Sequence, residues 1–318
     1  MIKCYNIPGT QDHHVLNAFF LNLMATEKKR FWPDVKVSSV FGNFHYCIWD
    51  GGRNFSRYHQ VTEEAMLQIK QTYDQYELPI RFVFTNPVLE KKHLYNRFCN
   101  LQLELFHEDK NEIVVNSPLL EDYIRENYPK YKLVSSTTKR LTNPDDFLKE
   151  LENDHYYQVC IDYDLNKNME LINSIPKELR SKVEFLINAI CPPHCPNRKD
   201  HYAKTGLTQI TYLKHKYTNL QCGIKESNIH PAMLGKGNNF SLDEVRQYSD
   251  LGYKYFKLEG RTLQSSDMLM MYLYYMVKPE WWFETIREAT FTEGIFINDS
   301  NALQDYQKIP TKEYAIGL

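Results

Sequence analysis

The chain has 318 residues, 42% of them apolar and 25% charged, with a formal net charge of −2. This is a globular composition, long enough for one large barrel or two average domains. The near-neutral balance excludes a global basic field directed at nucleic acid or an anionic membrane, although a local patch leaves RNA open as a partner. No 18 apolar residues run together, and the opening MIKCYNIPGTQDHH lacks a basic-then-apolar signal pattern, so the expectation is a soluble, cytoplasmic protein without membrane contact.

Residues 1–34 read as a helical lead-in. VKVSSVF (35–41) is short and β-branched and reads as the first strand. RFVFTN (81–86) follows the amphipathic stretch 62–76, and EIVVNS (112–117) follows a second helical pattern. A helix beginning near Pro118 precedes KLVSST (132–137), and DDFLKELEN, with Asp145 near its start, precedes YQVCIDYD (157–164). VEFLINAI (183–190) is a sixth strand, and a weak run near 222–230 is a candidate seventh. YKYFKLEG (253–260) follows LDEVRQYSDLG, whose Gly252 reads as a helix stop, and 276–318 reads as a C-terminal helix and tail.

Strands alternating with helices imply parallel βαβ units, and eight of them imply a single-domain α/β chain, a (β/α)8 TIM-barrel-like fold over 35–275 with outer helices. An open doubly wound sheet is the alternative. It is disfavoured because no phosphate-loop pattern follows the first strand, and GKGNN (235–239) lacks the spacing of either nucleotide motif. Parallel barrels carry their chemistry at the C-terminal strand ends. Those positions hold Asn43, Asn86, Asn116, Ser135, Ser136, Asp162, Asn188, Glu259 and Arg261. Asp162, Glu259 and Arg261 are candidates for catalysis. Asn86, Asn116, Asn188 and Arg261 are candidates for holding substrate. The competing reading is that such residues only cap helices and form turns, and that Glu259 and Arg261 form a salt bridge. The 23 tyrosines suit a large core with polar tips, or a pocket that stacks planar ligands.

The stretch INAICPPHCPNRKDHY (187–202) places Cys191 and Cys195 directly after the sixth strand, in a loop stiffened by Pro192, Pro193 and Pro196. Cys222 follows Cys195 by 27 residues. Three thiolates on neighbouring loops can bind an iron–sulfur cluster, with a fourth ligand from Cys160, Cys47, His201 or no protein group. Cys191, Cys195, His201 and Cys222 would also make a Cys3His zinc set, and the spacing is compatible with no metal at all. The chain carries seven cysteines, an odd number that rules out a complete intramolecular disulfide framework. A Cys191–His201 nucleophile pair has only local spacing in its favour, and neither H-E-x-x-H nor G-x-S-x-G occurs.

Four islands resemble the collagenase-like peptidase U32 family. VFGNFHYCIWDGGRNFS (40–56) is similar to a strand and Gly-Gly-Arg turn of that family, and IVVNSPLLEDYIRENYPKYKLVSST (113–137) to its third and fourth strands. FLINAICPPHCPNRKDHY (185–202) resembles its cysteine segment, with Asn188, Cys191, Cys195, Arg198 and His201 in matching roles. SLDEVRQYSDLGYKYFKLEGR (241–261) resembles its last strand, ending in Lys-Leu-Glu-Gly-Arg. The resemblance implies a barrel carrying an iron–sulfur cluster of the 4Fe-4S type. The chemistry it implies is oxygen-independent hydroxylation by an oxidoreductase, with prephenate as hydroxyl donor to ubiquinone precursors or RNA bases. On that analogy Cys191, Cys195 and Cys222 hold the cluster, while Arg53 and Arg261 receive the carboxylates of a small acidic or aromatic substrate. It also implies a protein partner subunit, as in hetero-oligomeric relatives. The sequence departs from the usual relatives in its cysteine arrangement. The second reading is therefore a zinc-stabilised or metal-free barrel acting as a binding or scaffold subunit, with a peptidase, as the family name suggests, as a third.

Overall fold

In the computed structural model the described residues are 1–52, 61–211 and 237–294. Eight short strands run in one direction: β1 Lys3–Pro8, β2 Val35–Phe41, β3 Ile80–Phe84, β4 Glu112–Val115, β5 Lys132–Ser135, β6 Tyr156–Cys160, β7 Val183–Leu186 and β8 Tyr255–Lys257. Each pairs in parallel with the next, and β8 returns to β1, with Tyr5 opposite Phe256 and Asn6 opposite Lys257. The helices are α1 His14–Thr26, α2 Glu63–Asp74, α3 Arg97–Leu105, α4 Pro118–Asn127, α5 Pro144–Glu152, α6 Met169–Ser174, α7 Arg198–Thr211, α8 Leu242–Asp250, α9 Ser265–Met276 and α10 Trp282–Glu293. This is a closed (β/α)8 barrel, as the alternation implied. Among the described residues no helix is long and apolar enough to cross a membrane.

Two strand assignments change. The barrel begins inside the segment read as a lead-in, because β1 and α1 lie within residues 1–34. The alternation of β1 is real: Tyr5 and Ile7 are buried in the apolar shell, while Asn6 bonds Glu184 inside the barrel. With one β-branched residue and a terminal proline, KCYNIP looks weak as a strand in the sequence. The candidate strand near 222–230 lies outside the described residues. The barrel closes without it, since β7 bonds β8 directly, Phe185 opposite Phe256.

Local signals explain the helix ends. Thr62 caps α2 by accepting from the Ala65 amide at 3.2 Å, with Glu63 and Glu64 in the first turn where the helix dipole favours them. Ser241 and Glu244 form a reciprocal capping box on α8, and Gly252 after it adopts φ +103°. For α5 the cap is Asn143, which accepts from the Asp145 amide, with Pro144 in the first turn.

The apolar core lies between strands and helices. Tyrosines fill much of it, with their hydroxyls satisfied: Tyr253 donates to Ile172 O at 2.7 Å, Tyr272 to Asn17 at 2.8 Å and Tyr275 to Phe240 O at 2.7 Å. Inside the barrel the lower filling is charged. Arg81 donates to Glu112, Glu184 and Gln158, and Asn6 donates to Glu184. Above it, Phe41, Val83, Val114 and Val134 make an apolar belt contributed by β2 to β5.

Candidate functional site

A cavity of ≈70 Å³ opens at the C-terminal ends of the strands. Side chains alternate along a strand, so Phe41, Val83, Val114, Leu186 and Lys257 form its floor, and Thr85 and Glu259, two residues beyond Val83 and Lys257, stand at the mouth. Thr85, Ser136, Thr137 and Thr138 supply hydroxyls to one wall. Tyr163 and Tyr202, joined by a 2.8 Å hydrogen bond between their hydroxyls, form part of another wall. Gly51, Gly52, Glu259 and Arg261 complete the rim. A Cβ at Gly51 would collide with the carbonyl of Thr85, so the rim can pack this closely only with glycine.

Lys257 is the charged member of the floor. Its amine sits 4.3 Å from the centre of the Phe41 ring. Among the described residues its carboxylate partner is Glu184, at 3.8 Å, beyond hydrogen-bond reach. Burial lowers the pKa of this amine. Arg81 and Arg261 push the same way, against Glu184 and Cys160. The hydroxyls of Thr85 and Thr137 are buried and have no hydrogen-bond partner among the described residues.

Several strand-end candidates serve the frame. Asn188 donates to Glu259 O at 2.8 Å and accepts from Glu259 N at 2.6 Å, extending the β7–β8 ladder by one side chain. Asn43 does the same for Val83, at 2.7 Å in both directions. Asn116 donates to Thr138 at 2.7 Å. Asn86 is buried and holds Ile48 O at 2.8 Å and Gly206 O at 3.1 Å, joining the loop after β2 to α7 outside the cavity lining. Asp162 is buried and receives Arg140 at 2.5 and 2.7 Å. Burial raises its pKa against the Asp164 amide, Arg140 and Arg198, and the Asp164 carboxylate adds to the rise.

Glu259 and Arg261 do come together at the rim, but each is also tied to a loop. Glu259 accepts from the Ile190 amide at 3.0 Å. Arg261 donates to Asp50 at 2.8 Å and to Gly51 O at 3.0 Å. Burial raises the Asp50 carboxyl to about 6, with Arg261 opposing the rise. Arg53 lies outside the described residues.

The cysteine loop is organised around Asp164. This carboxylate accepts from Arg198 at 2.7 Å, from Arg140 at 2.9 Å and from the His194 amide at 2.9 Å. Burial pushes its pKa up, but these donors outweigh it and hold the carboxyl down at about 2. Arg198 also lies over Tyr163, 4.1 Å from the ring centre. Cys191 packs with Tyr163, Leu186 and Ala189 in an apolar cluster, whereas Cys195 lines a separate cleft with Arg140 and His194. Both are free thiols, and His201 lies on α7. Cys222 lies outside the described residues. Among the described residues no three His, Cys, Asp or Glu side chains are grouped to hold a metal ion. The described part of the corner therefore supplies no complete ligand set for a cluster or for zinc.

Sequence reasoning missed Lys257, Thr85, Thr137, Tyr163, Tyr202 and the Asp164 hub. Lys257 had a signal: it stands two residues before Glu259, on the same face of the strand.

No family model matches the chain, and no curated protein matches it. Among solved structures, the chain is similar to that of the U32 peptidase Mk0906, with 15% sequence identity, a TM-score of 0.48, and coverage of 82% of this chain and 93% of that one. At that identity the likeness is one of fold.

Proposed function

We propose that the barrel mouth is an enzyme site for a small, oxygen-rich molecule whose carbonyl or carboxylate end enters the cavity above Lys257. One observation carries this reading. The Lys257 amine, which has no hydrogen bond among the described residues, and the side chains of Thr85 and Thr137, whose buried hydroxyls have none either, line a single cavity. Buried polar groups are costly unless paired, so a ligand bearing oxygens would satisfy the amine directly and the hydroxyls once they rotate toward the cavity. A volume of ≈70 Å³ holds about five or six water-sized positions, so the end that enters is small. The open mouth leaves room for a larger remainder.

This reading keeps the small acidic substrate and does not require the cluster. Oxygen-independent hydroxylation with an iron–sulfur centre rests on Cys191, Cys195 and Cys222, and only the first two are described. No step proposed here passes through such a centre. For peptidase chemistry, the cavity lining among the described residues contains neither histidine nor cysteine as a nucleophile or base.

The test is ligand-observed NMR with glycolate, glyoxylate and acetate against the wild-type protein and the Lys257→Met and Thr85→Val variants. Binding by the wild type that weakens in both variants is the expected result. Absence of binding, or binding that neither variant alters, would sink the reading.

A further inference from the structure

We propose that Lys257 is a covalent catalytic residue that forms an imine with the carbonyl group of the substrate. The inference rests on the reading of the mouth given above and adds the reacting atom and the substrate class, a small aldehyde or ketone.

Placement comes first. Lys257 is the last residue of β8 and lies on the cavity floor, so a molecule entering the mouth meets its amine. The side chain is only 10% exposed, and access to it is through this cavity. The surroundings come second. The amine rests against Phe41 and beside the apolar belt. Glu184, its carboxylate neighbour, is held by Arg81 and Asn6 through Oε1, while its Oε2 faces the amine without a hydrogen bond among the described residues. An ion-pairing lysine would be expected to hydrogen-bond its carboxylate, and this one stops at 3.8 Å. Desolvation beside other cations favours the neutral amine, the form that attacks carbonyl carbon.

The step balances without any oxidant or reductant. The nitrogen lone pair forms the C–N bond while the carbonyl π pair moves to oxygen, giving a carbinolamine. The C–O bond then breaks, and the oxygen leaves as water with the two protons that began on the amine. Hydrolysis reverses the sequence. Tyr202 and Glu259 line the same cavity and are the groups available to pass those protons. Thr85 and Thr137 line its wall, and rotation of their unpartnered hydroxyls toward the cavity would let them bond the remaining substrate oxygens.

The experiment is reductive trapping on the full-length protein at pH 7, with glyoxylate as probe and cyanoborohydride as reductant, followed by peptide mapping. Each reduced adduct adds the probe less its carbonyl oxygen. We expect the fraction of Lys257 modified to exceed that of exposed Lys29 and Lys92 severalfold. In Lys257→Arg that adduct disappears while labelling of Lys29 and Lys92 is unchanged. Should this variant fail to fold, competition by glycolate on the wild-type protein supplies the same control. A purely structural lysine would be labelled no faster than Lys29 and Lys92, and that result overturns the inference. If glycolate binds and glyoxylate leaves Lys257 unmodified, imine formation fails and the mouth reading stands. If glycolate does not bind and Lys257 is unmodified, both fail.

Discussion

Replacing Asp164 with asparagine removes one charge from the centre of the cysteine loop with little change of shape. The wild-type carboxyl is held at about 2, against its usual 3.8. That difference corresponds to about 2.4 kcal/mol favouring the folded state when the group is ionised. Asp164 lines the open cleft beside Arg140 and Cys195, so solvent screens part of this. The charge contribution should therefore be about 1–2 kcal/mol. The asparagine NH2 would also face donors from Arg198 or Arg140, leaving a nearly buried donor unsatisfied at a further cost of about 1–3 kcal/mol. The sign follows from the direction of the shift. A depressed carboxyl stabilises the fold above its unfolded pKa of 3.8, and the contribution is lost as pH falls through about 2. Urea unfolding of wild type and Asp164→Asn at pH 7 and pH 3 measures this, with about half of the charge contribution remaining at pH 3. Thiol titration of Cys191 and Cys195 should also be faster in the variant, because the His194 amide and Arg198 lose their common acceptor. A stability difference under about 0.5 kcal/mol at pH 7, the range of an ordinary surface change, refutes the hub. So does a difference that stays the same at pH 3.

Thr85→Val replaces a buried, unpartnered hydroxyl with a methyl of similar volume, so thermal stability should hold or rise slightly while glycolate binding weakens by about 1 kcal/mol; weaker folding with unchanged binding would contradict its place in the site. Glu184→Gln removes the anion that raises the Lys257 pKa, so glyoxylate labelling of Lys257 at pH 7 should increase, and a decrease in a folded variant counts against the electrostatic account. The same change leaves Arg81 one carboxylate short and should cost about 3–5 kcal/mol in urea unfolding, as for a broken buried ion pair. Carbon-detected NMR of the Asp50 carboxyl should show a midpoint near 6, and higher in Arg261→Gln. Because the folded state takes up the proton first, Asp50 favours the fold below 3.8 and that contribution is lost as pH rises through about 6. A midpoint near 3.8 would show that burial does not control it.

The order of strands and helices was legible because the helix-facing side of each strand is apolar. Seven of the eight barrel strands could be placed from that alternation alone. β1 was not: KCYNIP has a single β-branched residue, ends in proline and follows no helical stretch, whereas β3, β6, β7 and β8 were read despite inward Arg81, Gln158, Glu184 and Lys257. At the mouth, strand ends were marked as a class, but neighbouring residues face opposite ways. Ser135 turns outward to Glu150, while Ser136 lines the cavity. Asn86 leaves the mouth, whereas Thr85, one residue earlier, stays in it. Counting by two from a buried inward residue separates these pairs. The pairing of Arg198 and Arg140 with Asp164 was beyond reach, since it joins residues 24 to 34 apart through a loop with no regular period.

The inside of this barrel shows why a lysine at the end of β8 differs from one on the surface. Arg81, Glu112, Glu184 and Lys257 carry two charges of each sign, but the geometry does not share them evenly. Arg81 takes the direct contacts with both carboxylates and with Gln158. A planar guanidinium can satisfy several acceptors at once, and an ammonium offers only a compact point charge. Lys257 is thus left with one carboxylate at 3.8 Å and an aromatic ring below it. A methionine at the same position would fill the volume but leave Arg81 alone against Glu112 and Glu184, so the lysine balances buried charge without taking a direct hydrogen bond. The cost of placing it there is understandable if the amine has chemistry to do at the one cavity it reaches. The hydrogen-bonded lower filling lies beneath it, and burial against Phe41 and the apolar belt disfavours the charged form of the amine.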